Sequence, residues 1–351
     1  PLRGGAVMTT STIAGASGTL SRILMQSLAQ RDRVDLLSRQ SSSGRVASLY
    51  GDEAPQARQA ISLRGEIARR AAYTGALNQA SGRASASQQA LTQLGDIASE
   101  FRATALTLNS TSATRASDVA VTAKAAMQQV ATLLNTQYAG EYLFSGADSA
   151  NPAVTDASGI AGSGMMSGVA SAVAGLSGSD ATAVLSQAMQ AVATDSPFSA
   201  YLQSAPSSAM RSVAGADGRT IAYGVPAGSV GASGWAGALM GNLAILASLT
   251  DGQQSSAKFD ALVQKVTGNL ESVGTDITRD ASRVGLAQNA ITAALSSHSE
   301  ATDALKTQLS GLEEVDFEAT LATLQSAQTQ LEASWKVLSL VSGLSLTKFL
   351  G

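Results

Sequence analysis

The chain has 351 residues, a formal net charge of −3, no cysteine and a single histidine. That balance gives no electrostatic grip on nucleic acid, and the lack of Cys excludes disulfides, thiolate catalysis and Cys-based zinc sites. Hydrophobic residues reach 44% while aromatics stop at 4% and charged residues at 14%, a composition rich in alanine that favours close helix–helix packing and surfaces destined for burial against other copies.

The stretch from Pro1 to Ile13 lacks the basic region and apolar core of a cleaved secretory signal, so export is expected to use a route without one. No uninterrupted apolar run has the length of a membrane span, and no membrane role is expected. From Thr19 to Ser41, Leu20, Ile23, Val34 and Leu37 recur at helical spacing, and Leu24 and Leu28 widen the stripe. Gly44, Gly51 and Pro55 break the pattern, with Tyr50 to Pro55 read as a loop that ends at a helix start.

A long helix is predicted from Pro55 to Leu108, with Ile61, Leu63, Ile67, Leu77, Leu91, Leu94, Ile97 and Phe101 as core candidates. A helix of that length needs lateral partners. Asn109 to Thr114 reads as a polar turn, and a further helix carries Val119 to Tyr138. At Gly146 the composition shifts to Gly, Ala and Ser, with Pro152, Pro197, Pro206 and Pro226, until Ser255. Inside this stretch Arg219 to Val225 has strand content, and Gly231 to Leu249 reads as a small helix. The segment is expected to be an insert, dispensable for assembly.

Helix resumes from Ala257 to Leu309, and a last one is predicted from Leu312 to Leu350, opened by a capping box of Ser310 and Glu313. Glu314, Asp316 and Glu318 put negative charge at the positive end of its dipole. Phe317, Leu321, Leu324, Gln328, Leu331, Trp335, Leu338, Ser342, Ser345 and Phe349 then follow at alternating steps of four and three, a heptad repeat. Both ends of the chain are therefore amphipathic helices too thin to fold alone. The first carries Arg22, Arg31, Arg33 and Arg39 against two aspartates, whereas the last is acidic. Pairing them with each other leaves apolar surface over, and further copies of the same chain are the simplest cover.

Three short motifs now form a pattern. Ser41-Ser42-Ser43-Gly44-Arg45-Val46, followed by Asp52-Glu53-Ala54-Pro55-Gln56-Ala57, resembles a stretch of the flagellin superfamily. Gly140-Glu141-Tyr142-Leu143-Phe144-Ser145-Gly146 is similar to the element where that family's rod leaves for its outer domain, and Val315-Asp316-Phe317-Glu318-Ala319 to the opening of its C-terminal helix. The resemblance implies a mainly α fold, a flagellin-like rod of long antiparallel N- and C-terminal helices with a small inserted α+β or β-containing middle domain. Its expected divisions are terminal tails at 1–45 and 312–351, a helical rod at 46–146 and 256–311, and an outer domain at 147–255.

Within the superfamily the proline-free ending, Gln328 to Ser339 and Leu344 to Leu350, resembles the hook–filament junction branch, called hook-associated protein three; Trp335 stands where that branch more often has Tyr. The alternative is a filament flagellin. Either reading implies a secreted, extracellular structural subunit that binds copies of itself and other flagellar axial proteins (flagellin, a neighbouring hook-associated protein). It also implies a type III export apparatus, an export chaperone on the last helix, and tails that order on assembly. The expected assembly interface is Leu20, Ile23, Leu24, Leu28, Val34 and Leu37 with Phe317, Leu321, Leu324, Leu331, Trp335, Leu338 and Phe349.

Nothing in the residues asks for catalysis. His298 alone, in Ser-Ser-His-Ser, makes no ordinary zinc site and is expected on an exposed helix surface. The carboxylates at 313–318 are explained by helix capping before any cation. There is no Gly-x-Ser-x-Gly elbow, and Gly159 to Gly164 lacks the Gly-Lys-Ser/Thr of a phosphate loop. No enzyme activity, metal or cofactor is expected.

Overall fold

The computed structural model describes residues 10–46, 57–111, 113–206, 208–215 and 218–350, and for 10–20 and 341–350 the backbone alone. The loop expected at Tyr50 to Pro55, with the Asp52 to Gln56 part of its motif, lies outside the described residues. The fold is mainly α, with long helices at both ends of the chain and two small antiparallel hairpins in the middle. It divides into two compact units, Pro1–Arg70 with Ala301–Gly351, and Ala71–Glu300. These divisions fall inside long helices, away from the composition shifts at 146 and 255.

The first unit holds α1 (Thr10–Ser43), the beginning of α2 (Ala57–Thr107), the end of the chain's penultimate helix and the whole of its last. In the second unit α2 continues, followed by α3 (Ala116–Leu134) and the β1–β2 hairpin (Gln137–Tyr138, Glu141–Tyr142). Next come α4 (Gly164–Ala174), α5 (Ala181–Thr194) and α6 (Ala200–Ser204). The second hairpin is β3 (Arg211–Ala214) with β4 (Thr220–Tyr223), in the register Arg211 to Tyr223 and Ala214 to Thr220. It is followed by α7 (Ala227–Val230) and α8 (Trp235–Ala247). The long α9 (Ala257–Glu313) and α10 (Phe317–Leu350) close the chain.

In the second unit α2 and α9 run antiparallel, as Arg102 meets Glu271 at 3.1 Å and Ser85 meets Gln288 at 3.2 Å. Among their buried positions a heptad runs along each helix: Leu77, Ala80, Ala84, Ser87, Leu91, Leu94, Ala98 and Phe101 against Val266, Leu270, Val273, Ile277, Asp280, Val284, Ala287 and Ile291. Alternating steps of three and four keep one stripe facing its partner over the whole length. This is the lateral support that a helix as long as α2 requires. Ile61, expected in the core, is exposed.

Residues of the Gly/Ala/Ser segment do not form a core of their own. Val154, Met165, Val184, Phe198 and nearly all of α8 belong to the same buried cluster as Leu91, Leu94, Met127 and Val266. The stretch Ala227–Ala247 is long and apolar enough to cross a membrane, yet 78% of it is buried within this unit, as suits a core helix. The β3–β4 hairpin packs Val213 and Tyr223 on Leu77, Ile291 and Ala294. The expected strand at 219–225 is thus β4, held against the long helices.

Two polar devices fasten these pieces. Arg115 at the start of α3 supplies no capping side chain; instead Asp251 accepts from the Ser117 amide (2.9 Å) and hydroxyl (3.0 Å), while Gln254 accepts from the Ala116 amide at 3.1 Å. Those bonds, that of the Ser117 amide foremost, hold the Asp251 carboxyl below its ordinary range. Buried Arg83 meets Glu141 at 2.9 Å and donates to the Tyr142 carbonyl, and Arg211 reaches the same Glu141 at 3.0 Å. Burial, helped by the charge of Arg211, lowers the Arg83 pKa, with Glu141 opposing. The clamp ties the β1–β2 hairpin to α2 and β3.

Candidate assembly interface

The first unit is built around two helix breaks that meet. α1 stops at Ser43, and Gly44 takes φ +70°, a left-handed conformation suited to a helix end. α9 stops at Glu313, so Ser310 and Glu313 close a helix and do not open one. The following α10 is capped by Asp316, whose carboxylate accepts from the Ala319 amide at 3.1 Å. Asp316, read from the sequence only as a charge near the helix dipole, is the cap because the helix breaks at 314–316.

The breaks are sewn together. The Val46 amide donates to the Glu313 carbonyl (2.9 Å) and the Val315 amide to the Gly44 carbonyl (3.0 Å), an antiparallel bridge. Partly exposed Arg64 adds an ion pair to buried Glu313 at 2.6 Å. From this junction α1 and α10 run antiparallel, and Gln30 donates to Gln330 at 3.2 Å about midway along.

The two helices bury only their facing stripes. On α1 these are Ile23, Ser27, Gln30, Val34 and Leu37; on α10 they are Thr320, Leu324, Ala327, Leu331, Ser334 and Leu338. Of the residues expected at the interface, the structure therefore places Ile23, Val34, Leu37, Leu324, Leu331 and Leu338 along the intrachain contact. Leu24, Leu28, Phe317, Leu321 and Trp335 stand exposed, Trp335 by 61%. The side chains of Leu20 and Phe349 lie outside the described residues. Ser334, read as off the seam, is on it, and Trp335 beside it points away.

The physical reason is residue size. Small Thr320, Ala327 and Ser334 let α1 and α10 approach closely, and the bulky neighbours at 317, 321 and 335 turn to the flank. That period of seven in small residues was present in the sequence but is fainter than the run of Phe, Leu and Trp beside it. Met25, Leu36, Val337 and Leu340 add to the exposed apolar surface and were missed, lying off the heptad. Apolar area left uncovered in this way on a thin helix pair is of the kind that marks interaction surfaces.

His298 departs from its expected exposure: it is only 3% exposed and stacks on Tyr73 with ring centroids 5.4 Å apart. It lies four residues beyond Ala294 on the α9 heptad, so its place is structural. Among the described residues no three His, Asp or Glu gather as metal ligands.

Residues 19–149 match the bacterial flagellin N-terminal helical region, and residues 267–350 match the bacterial flagellin C-terminal helical region. The two matches cover both ends of the chain and more than half its length. The chain belongs to the flagellin superfamily. No curated protein matches the chain. As a flagellin-superfamily member it is a structural subunit of the flagellum, in a family that is not enzymatic and whose members self-polymerise and act outside the cell. The matched regions take in most of α1 with all of α2 and α3 on one side and most of α9 with all of α10 on the other, so the flagellin regions contain both helix breaks and the exposed flanks.

Proposed function

We propose that this flagellin-superfamily subunit builds the hook–filament junction, the role of hook-associated protein three. The supporting observation is the C-terminal helix: α10 runs unbroken from Phe317 to Leu350, without proline, and ends in the Leu- and Phe-containing tail that resembles the junction branch. On this reading the facing stripes of α1 and α10 hold the tail together. The outward residues Leu24, Leu28, Phe317, Leu321 and Trp335 pack on neighbouring copies and on the adjoining axial proteins, flagellin on one side and another hook-associated protein on the other. Before export the same apolar flank of α10 is the natural surface for an export chaperone that delivers the chain to the type III apparatus.

Electron microscopy of a strain lacking the gene tests the role. Intact hooks without filaments, with flagellin shed into the medium, is the expected result. Filaments of normal length on every hook reject the junction role, and loss of the filament's own protein from the medium assigns the chain to the filament instead.

A further inference from the structure

We infer that a groove between the β3–β4 hairpin and α9 receives the start of α10 from a neighbouring copy of this chain, with Phe317 and Leu321 entering over an alanine floor. The inference rests on the self-assembling reading above and names one contact within it.

The groove has a volume of about 680 Å³ and is walled by β4 on one side and α9 on the other. On α9, Leu286, Ala290, Ala293 and Ser297 follow at steps of four, three and four, a heptad stripe that no element of the second unit covers; Leu286 is 69% exposed. Among the described residues β4 is paired with β3 alone, so its outer edge flanks the groove unpaired. No carboxylate lines the groove, whereas Arg219 and Arg283 stand at its rim. Arg283 shares Asp280 at 2.9 Å while its side chain stays half exposed, and Arg219 makes no ion pair among the described residues. Such a site suits an occupant with bulky apolar side chains and negative charge.

One exposed apolar segment of the chain has that character. Between residues 314 and 321 stand Glu314, Asp316 and Glu318 with no basic residue, and Phe317 and Leu321 are 55% and 41% exposed. The segment around Met25 and Leu28 carries Arg22 and Arg31, and Trp335 lies between Glu332 and Lys336, so neither offers the opposite charge. Large side chains at 317 and 321 also match the small ones at 290 and 293, as knobs match holes. Two different patches meeting in this way make a heterologous contact, which propagates around a ring or along a helix of copies.

The chain has no cysteine, which permits a direct test. Full-length Ala290→Cys and Leu321→Cys proteins are mixed, assembled and treated with a short bismaleimide, with sedimentation read in parallel. A mixed dimer well above that of a Val121→Cys and Leu321→Cys mixture is expected. Arg219→Glu in the first protein should lower its yield by about two- to fivefold, as for an exposed ion pair, and Glu318→Arg in the second should restore it. Assembled particles without the mixed dimer, a dominant Ala290→Cys homodimer, or no rescue by the charge swap each overturn the inference and leave self-assembly standing. Absence of both sedimenting particles and cross-link removes the two together.

Discussion

Replacing Trp335 by Ala separates the two faces of α10. Trp335 is 61% exposed in the single chain, whereas Leu37 is buried between α1 and α10. With a full tryptophan burying up to about 250 Å², some 150 Å² remains to be covered by a neighbour, about 4 kcal/mol at 25 cal/mol per Å² as an upper figure. Assembly of Trp335→Ala should then weaken by roughly a hundred- to a thousandfold per contact. The isolated chain should lose only about 1 kcal/mol, because alanine is also the better helix former. Leu37→Ala does the reverse: its buried leucine costs about 2–3 kcal/mol in the α1–α10 pair itself. Circular-dichroism melts of the monomers and sedimentation of assembled protein read the two effects apart. If Trp335→Ala melts the isolated chain as severely as Leu37→Ala, or assembles at the wild-type concentration, the assignment of inner and outer faces is wrong.

Three further outcomes follow from the second unit. Because the Asp251 carboxyl is held below its ordinary range, its contribution is fully present above about pH 4 and is lost as pH falls through the lowered folded-state value. The protection of the Ser117 amide, its exchange taken relative to the intrinsic rate at each pH, should fall on acidification, and Asp251→Asn should abolish that dependence. Arg83→Met removes one guanidinium from the Glu141 clamp and leaves the Tyr142 carbonyl without its donor; a loss of about 1–3 kcal/mol in urea unfolding is expected. Replacing residues 147–255 with a short Gly/Ser linker should expose the faces of Leu91, Leu94, Met127 and Val266 and broaden the unfolding transition, because that segment shares their core. A sharp, wild-type melt of the shortened chain would contradict the shared core.

The long helices were legible because their signal is periodic and local. Leu77, Leu91, Leu94 and Phe101 recur at helical spacing over many turns, and no other structure satisfies that pattern. The faces were less legible. Phe317, Leu321 and Trp335 make a better heptad by hydrophobicity than Thr320, Ala327 and Ser334 do, yet close approach of α1 favours the small residues. His298 was misplaced because a polar residue on an alanine-rich helix looks exposed until Tyr73, far off in sequence, is seen stacked on it. The cap of α3 could not be read at all, since Asp251 and Gln254 act from more than a hundred residues downstream. The Gly/Ala/Ser segment misled by composition: its small residues mark tight packing around α8 as readily as they mark a loose insert.

In the assembled state the outward flank of the terminal helix pair is expected to be covered by other subunits. The two tryptophans report on it directly, for Trp235 is buried and bonded to Asp280 at 2.9 Å, whereas Trp335 is exposed. Acrylamide quenching of full-length protein should find one accessible and one protected tryptophan in the monomer, and two protected ones in assembled particles. A Trp335 that stays as quenchable in the particles as in the monomer would contradict the claim.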